Sequence, residues 1–169
     1  MAYVKPSEWV TRIANDAEAF IKAYEGFDVA HVFLEPGAAV GPDECCAGAL
    51  AVDVVNWFAT SEIWPNQRAA TEKREPCDGA AAMAVNLKYV TCVTGMDNNG
   101  RMPNDKTRQT DQLAVMDLGW ALWRYLLHQE SGEWRKRYGT TRIGAATRNP
   151  TSGGCTGFTI QLQAKLPTC

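Results

Sequence analysis

Residues 158–166 read FTIQLQAKL, and the fold turns on this closing stretch. Phe158, Ile160, Leu162, Ala164 and Leu166 alternate with Thr159, Gln161, Gln163 and Lys165. Successive side chains of an extended chain point to opposite faces, so the pattern predicts a strand with one face on a core and the other in water. A slip of one residue would bury the lysine and both glutamines, which makes the register strongly specified. Such a strand belongs to a sheet that needs apolar cover on one side only.

Working outward, three further stretches read as partners for this strand. Met83 to Thr94 sets Val85, Leu87 and Tyr89 against Asn86 and Lys88, and Ala49 to Thr60 is rich in β-branched and aromatic residues. His31 to Leu34 is a short apolar run stopped by Glu35-Pro36-Gly37, with Gly41-Pro42-Asp43 continuing the turn chemistry. Two helices are predicted to supply the cover. Ser7 to Tyr24 spaces Trp9, Val10, Ile13, Ala17, Phe20, Ile21 and Tyr24 by threes and fours, with Ser7 as N-cap, Glu8 in the first turn and Gly26 as the left-handed residue at the end. Asp105 to Gln129 repeats the spacing through Leu113, Met116, Trp120, Trp123 and Leu127, with Gly132 to end it. Trp9, Trp57, Trp120 and Trp123 are the expected core tryptophans.

Two long connections remain. Ser61 to Gly79 is charged, interrupted by Pro65 and Pro76, and too long for a tight hairpin; Glu133 to Gly154 shows little apolar periodicity and is expected to be a long loop or arm. The order helix, strands, helix, strand predicts an α+β fold, a mainly antiparallel sheet packed by the N-terminal helix and the second long helix. The 169 residues suit one domain, 1–169, with long loops at about 61–79 and 133–154.

Composition excludes several classes. No stretch approaches the roughly 18 consecutive apolar residues of a membrane span. The N-terminus lacks the apolar run of a secretory signal, so the six cysteines are expected to be reduced thiols packed in the core. A net charge of −2 gives no basis for tight nucleic-acid binding. Its distribution is uneven: residues 1–60 hold 3 basic and 9 acidic side chains, and residues 131–169 hold 6 basic and 1 acidic. Opposed charge suits a subunit that meets copies of itself through complementary faces.

A search for chemistry yields little. His31 and His128 are the only neutral-pH bases, and neither stands in a recognisable nucleophile arrangement. The adjacent pair Cys45-Cys46 has the wrong spacing for a zinc knuckle with Cys77 and Cys92. Gly153-Gly154-Cys155-Thr156-Gly157 lacks the lysine of a phosphate loop and precedes a strand; it reads as a turn needing positive φ or close backbone approach. Asp43-Glu44 sits in a turn, and Asp111 and Asp117 fall on different helix faces, so neither makes an acid and base pair. No catalytic residue, metal ligand or cofactor is therefore expected. Trp64, in a polar loop beside Arg68, Lys73 and Arg74, has the character of an interface anchor. Arg135-Lys136-Arg137, between Trp134 and Tyr138, is the one basic cluster.

The ordered set of pieces resembles the tail terminator family of long-tailed bacteriophages, in the branch found in phages of actinobacteria. The likeness runs from about Trp9 to Pro167: a tryptophan-containing first helix, Glu35-Pro36-Gly37, Cys45-Cys46 before a strand, Trp64-Pro65-Asn66, a strand ending in Thr91-Cys92-Val93, the loop Asp97 to Pro103 with Gly100, a helix with Ala114 and Asp117, and Gly153 to Gly157 opening the last strand. It departs at Thr91, where relatives often carry arginine, and through 133–149. The resemblance implies an α+β subunit that closes a hexameric ring on the head-proximal end of the tail tube. That ring stops tube polymerisation and joins the tail to head completion proteins. Its implied partners are the tube protein, a connector or stopper protein and the tape measure protein, while DNA passes the lumen without specific binding. The implied location is the virion, after assembly in the host cytoplasm, with no membrane contact. On this reading Trp64, Arg68, Lys73, Arg74 and Arg101 form a subunit or tube interface, and Arg135, Lys136 and Arg137 a partner-facing basic loop. The rival readings are another head-to-tail connector, either stopper or adaptor; a small thiol-dependent enzyme using Cys46 or Cys92 with a histidine; and a nucleic-acid module centred on 135–138, which would bind with steep salt dependence.

Overall fold

The computed structural model describes residues 5–34, 46–60, 81–94, 103–131, 141–152 and 154–166. They form α1 (Pro6–Ala23), β1 (His31–Phe33), β2 (Ala49–Ala59), β3 (Ala81–Cys92), α2 (Asp105–Ser131), β4 (Thr141–Ser152) and β5 (Cys155–Leu166). The strands make one five-stranded sheet in the order β1-β2-β3-β5-β4. β1 runs parallel to β2, and every other pair is antiparallel. The fold is α+β, as the alternation in FTIQLQAKL and the two helical stretches predict. No described helix is long and apolar enough to cross a membrane.

The sheet is built around β3 and β5, which pair without interruption from Ala81↔Leu166 to Cys92↔Cys155. Register places Met83, Val85, Leu87 and Tyr89 beside Ala164, Leu162, Ile160 and Phe158, and all eight are buried in one core with Leu50 and Val52 of β2. Both helices cover this face: Trp9, Val10, Ile13, Ala14, Ala17 and Ile21 come from α1, and Val115, Leu118, Leu122 and Leu126 from α2. Phe20 of α1 stacks on Tyr125 of α2 at 4.8 Å, which sets the helices side by side. Phe158, Ile160, Leu162 and Ala164 are at most 4% exposed, so these apolar side chains of the closing strand lie in the core beneath the helices.

Glycine has a specific use at two positions of the β4–β5 hairpin. Gly154 has φ +81 in the turn, as expected for this run. A Cβ on Gly157 would lie 1.9 Å from the Tyr89 carbonyl oxygen, so the close approach of β5 to β3 requires glycine there.

Four expectations need correction. Residues 133–154 are not a single loop, because Thr141 to Ser152 pairs along β5 as an edge strand. Its glycine and alanines dilute the β pattern, and two register shifts break its periodicity. Ser7 is not the N-cap: Pro6 occupies the first helical position and Lys5 stands outside it in extended conformation. Trp57 and Trp120 are not core residues, being 60% and 58% exposed, and Leu113 and Met116 are also exposed. Finally, the described cysteines are not reduced thiols. Cys46 and Cys92 form a disulfide, Cys155 is disulfide-bonded too, and no free cysteine occurs among the described residues.

Candidate interaction surfaces

All eight residues singled out from sequence as interface candidates, Trp64, Arg68, Lys73, Arg74, Arg101, Arg135, Lys136 and Arg137, lie outside the described residues. Chain order still locates their attachment points. The segment 61–80 joins the end of β2 to the start of β3, 95–102 lies between β3 and α2, and 132–140 joins α2 to β4.

The described residues build three other surfaces. The first is the sheet face turned away from the helices. Register brings Asp53, Asn86, Gln161 and Lys88, Thr159, Thr147 into cross-strand rows, with Asn56, Ala84, Gln163 and Arg142 in the next row. A shallow depression there is lined by Val55, Asn56, Phe58, Ala84, Asn86, Gln161 and Gln163. Side-chain amides dominate it, so it can offer hydrogen bonds of both senses with little charge.

The second surface is the margin of the sheet at β4. Among the described residues no strand pairs with the outer side of β4, which leaves a row of backbone donors and acceptors. Above it lies a flank of α2 carrying Leu113, Met116 and Trp120, 54–58% exposed. Trp123 shows where this flank points: its indole N–H donates to the Gly144 carbonyl of β4 at 2.9 Å, and its ring stacks on Trp120 at 5.2 Å. Tyr125, on the other flank, faces α1. Arg142 and Arg148 of β4 are exposed; Arg142 lies 3.7 Å from Glu130, whose carboxylate also accepts the Ile143 N–H. Sequence reasoning identified this helix and misjudged which side it buries. The signal was present, since α2 carries apolar residues around more of its circumference than one core stripe needs.

The third surface is the opposite margin. β1 pairs only with Ala49 to Ala51, so β2 is the outermost described strand from Val52 onward. A register shift between Val54 and Asn56 sets Trp57 opposite Met83, at the end of the sheet where the core gives out. Val55 is 53% exposed, and Val32 and Leu34 extend the apolar margin along β1. Glu25 and Asp28 are exposed on the approach to β1.

Side chains suited to chemistry are scattered. His31 stacks on Phe33 at 6.1 Å on the β1 margin, whereas His128 lies near the end of α2. Asp111 accepts hydrogen bonds from the backbone N–H and hydroxyl of Thr94, tying the end of β3 to α2, while Asp117 points to solvent. Among the described residues no group of three or more histidine, cysteine or acidic side chains could hold a metal ion. Burial pushes the Tyr89 hydroxyl above its usual range, and it donates to the Asp28 carbonyl at 2.9 Å, a structural contact. The thiol-enzyme reading required a free Cys46 or Cys92, and these two sulfurs are bonded to each other.

No protein-family model matches the chain, and no curated protein matches it.

Proposed function

We propose that this protein is a structural subunit of a long-tailed phage particle, a tail terminator that closes the head-proximal end of the tail tube as a ring. The observation that carries the reading is a convergence. Cys46, Thr91-Cys92-Val93 and the run ending at Gly157 belong to separate pieces of the resemblance, and they meet at one end of the sheet. Cys46 and Cys92 have Cα atoms 4.4 Å apart, Cys92 pairs with Cys155, and the Val93 N–H donates to the Gly154 carbonyl at 2.9 Å. Pieces that are short and unspecific one by one thus make a single structural unit.

Two physical features support the same reading. Disulfides persist outside the reducing cytoplasm, and a released virion is such a place. A chain of net charge −2 repels phosphate weakly, which would let DNA pass a lumen without being held. The segments at 61–80, 95–102 and 132–140 join sheet and helix ends, where Trp64, Arg68, Lys73, Arg74 and Arg101 would meet the tube or a neighbouring subunit and Arg135, Lys136 and Arg137 a connector, stopper or tape measure protein.

Imaging of labelled protein in particles tests this directly, with the label expected at the junction of head and tail. Incubation with tube protein should produce capped tubes of fixed length. Arg68→Glu with Arg74→Glu should impair joining while the subunit stays folded. A label beneath the portal would reassign the protein as a stopper. A label elsewhere, or an intrinsic turnover lost on removal of one side chain, would end the proposal.

A further inference from the structure

We infer that the two margins of the sheet are the two halves of one head-to-tail contact, so that the β4 margin of one copy docks on the β1–β2 margin of the next. The inference rests on the ring-subunit reading and deepens it by naming the surfaces that close the ring.

Three observations converge on a second copy as the occupant. Each margin leaves large apolar side chains in water: Met116 and Trp120 on one, Val55 and Trp57 on the other. Tryptophan is among the side chains that carry most binding energy when buried at an interface. Each margin also ends in unpaired strand backbone among the described residues, β4 on one side and the later part of β2 on the other. Such edges favour extended partners, and each copy supplies one for the other.

Charge then selects between like-with-like and head-to-tail docking. β4 carries exposed Arg142 and Arg148 and no acidic side chain, and the α2 flank beside it adds exposed Arg124 and Asp117 and the Glu130 that lies 3.7 Å from Arg142, so basic groups outnumber acidic ones at this margin. On the β1–β2 side, the described residues between 25 and 60 carry Glu25, Asp28 and Asp53 and no lysine or arginine. Two β4 margins would set arginines against arginines, whereas β4 against β1–β2 sets them against carboxylates. The margins are also at opposite ends of the strand order, so one copy can engage two neighbours at once. A contact between unlike patches generates a ring when the rotation between copies closes.

Two variants test the inference, one with Met116→Asp and Trp120→Asp and the other with Val55→Asp and Trp57→Asp. Each is first checked for wild-type circular dichroism; Trp120→Ser and Trp57→Ser replace them where folding suffers. Solution mass is then measured at about 100 µM, high enough to populate a contact of micromolar affinity. The wild type is expected as a closed oligomer and each variant as a single chain. An equimolar mixture of the two should give a dimer and nothing larger, since only one intact pair of margins remains. A variant that keeps the wild-type mass, a mixture that stays monomeric, or a wild type that is itself monomeric would overturn the inference. A dimer formed by one variant alone would do so as well, by showing that a margin docks on its own kind. These results are independent of where the protein sits in a particle: failure of pairing with a label at the head–tail junction removes this interface alone, and pairing with a label elsewhere removes only the functional reading.

Discussion

The two helices are both rich in apolar residues and use them in opposite ways. α1 spends its stripe entirely on the core: Trp9, Ile13, Ala17 and Ile21 are at most 2% exposed, with charged residues on the other side and a Glu18–Lys22 pair at 2.7 Å. α2 has two apolar stripes of the same spacing. Val115, Leu118, Leu122 and Leu126 are buried, while Leu113, Met116 and Trp120 look outward. Spacing by threes and fours therefore establishes that a segment is helical, and in α1 also which side is covered. In α2 the same rule is satisfied twice, and only the sheet beneath decides between the stripes. A helix apolar on two sides is either wrapped by its own chain or held ready for another.

Substitutions can break this contrast or sharpen it. The largest effect is expected at the inner stripe, where Leu122→Ala should lower unfolding free energy by roughly 2–5 kcal/mol, as read from urea denaturation. A loss below about 1 kcal/mol would mean that the inner stripe is not seated on the sheet. Gly119→Ala comes next. Its Cβ would stand 2.9 Å from the Phe158 ring, so a strain of about 1–3 kcal/mol opposes a gain in helix propensity of about 1 kcal/mol, leaving a net loss. Stabilisation by this change would show that Phe158 can swing aside.

A smaller effect lies at the seam between the helices. Burial raises the Tyr125 hydroxyl above its usual range, Asp16 of α1 adds repulsion, and a hydrogen bond with Gln129 opposes both. A raised value means that the neutral form favours the folded state; the contribution is whole below about pH 10 and is lost as pH climbs through the folded value. Tyr125→Phe should therefore flatten part of the fall in stability above about pH 10, modestly because the group is partly in water. An unchanged alkaline limb would remove Tyr125 from the seam's energetics. Smallest of all is the effect on folding at the outer stripe, where Trp120→Ser should leave stability within about 0.5 kcal/mol while abolishing self-association. A large loss of stability there would place Trp120 in the core after all.

How much of this could be read from the residues alone follows from how local each signal is. β5 and β3 announce themselves because alternation survives wherever one face is buried and the other polar. β4 does not, since as an edge strand with exposed Arg142, Thr147 and Arg148 it takes its conformation from pairing with β5. The disulfide was beyond reach for the same reason. Register brings Ala49 opposite Val90, and that non-local fact carries Cys46 to Cys92. Nothing local in the residues around each cysteine says which sulfurs the sheet brings together. Of the candidate sites, the sequence singled out charged loops because charge and an isolated tryptophan stand out there. It passed over the two margins, whose exposed side chains are of the types that fill cores.

The Cys46–Cys92 bond has a further consequence. It turns β2, the connection to β3 and β3 itself into a covalent circle of the chain. A protease that severs any one peptide bond between Ala47 and Thr91 opens the circle without releasing a fragment, and the two ends stay tethered until a reductant reaches the sulfurs. A chain so closed can be nicked in its 61–80 connection and still keep both parts on one covalent molecule.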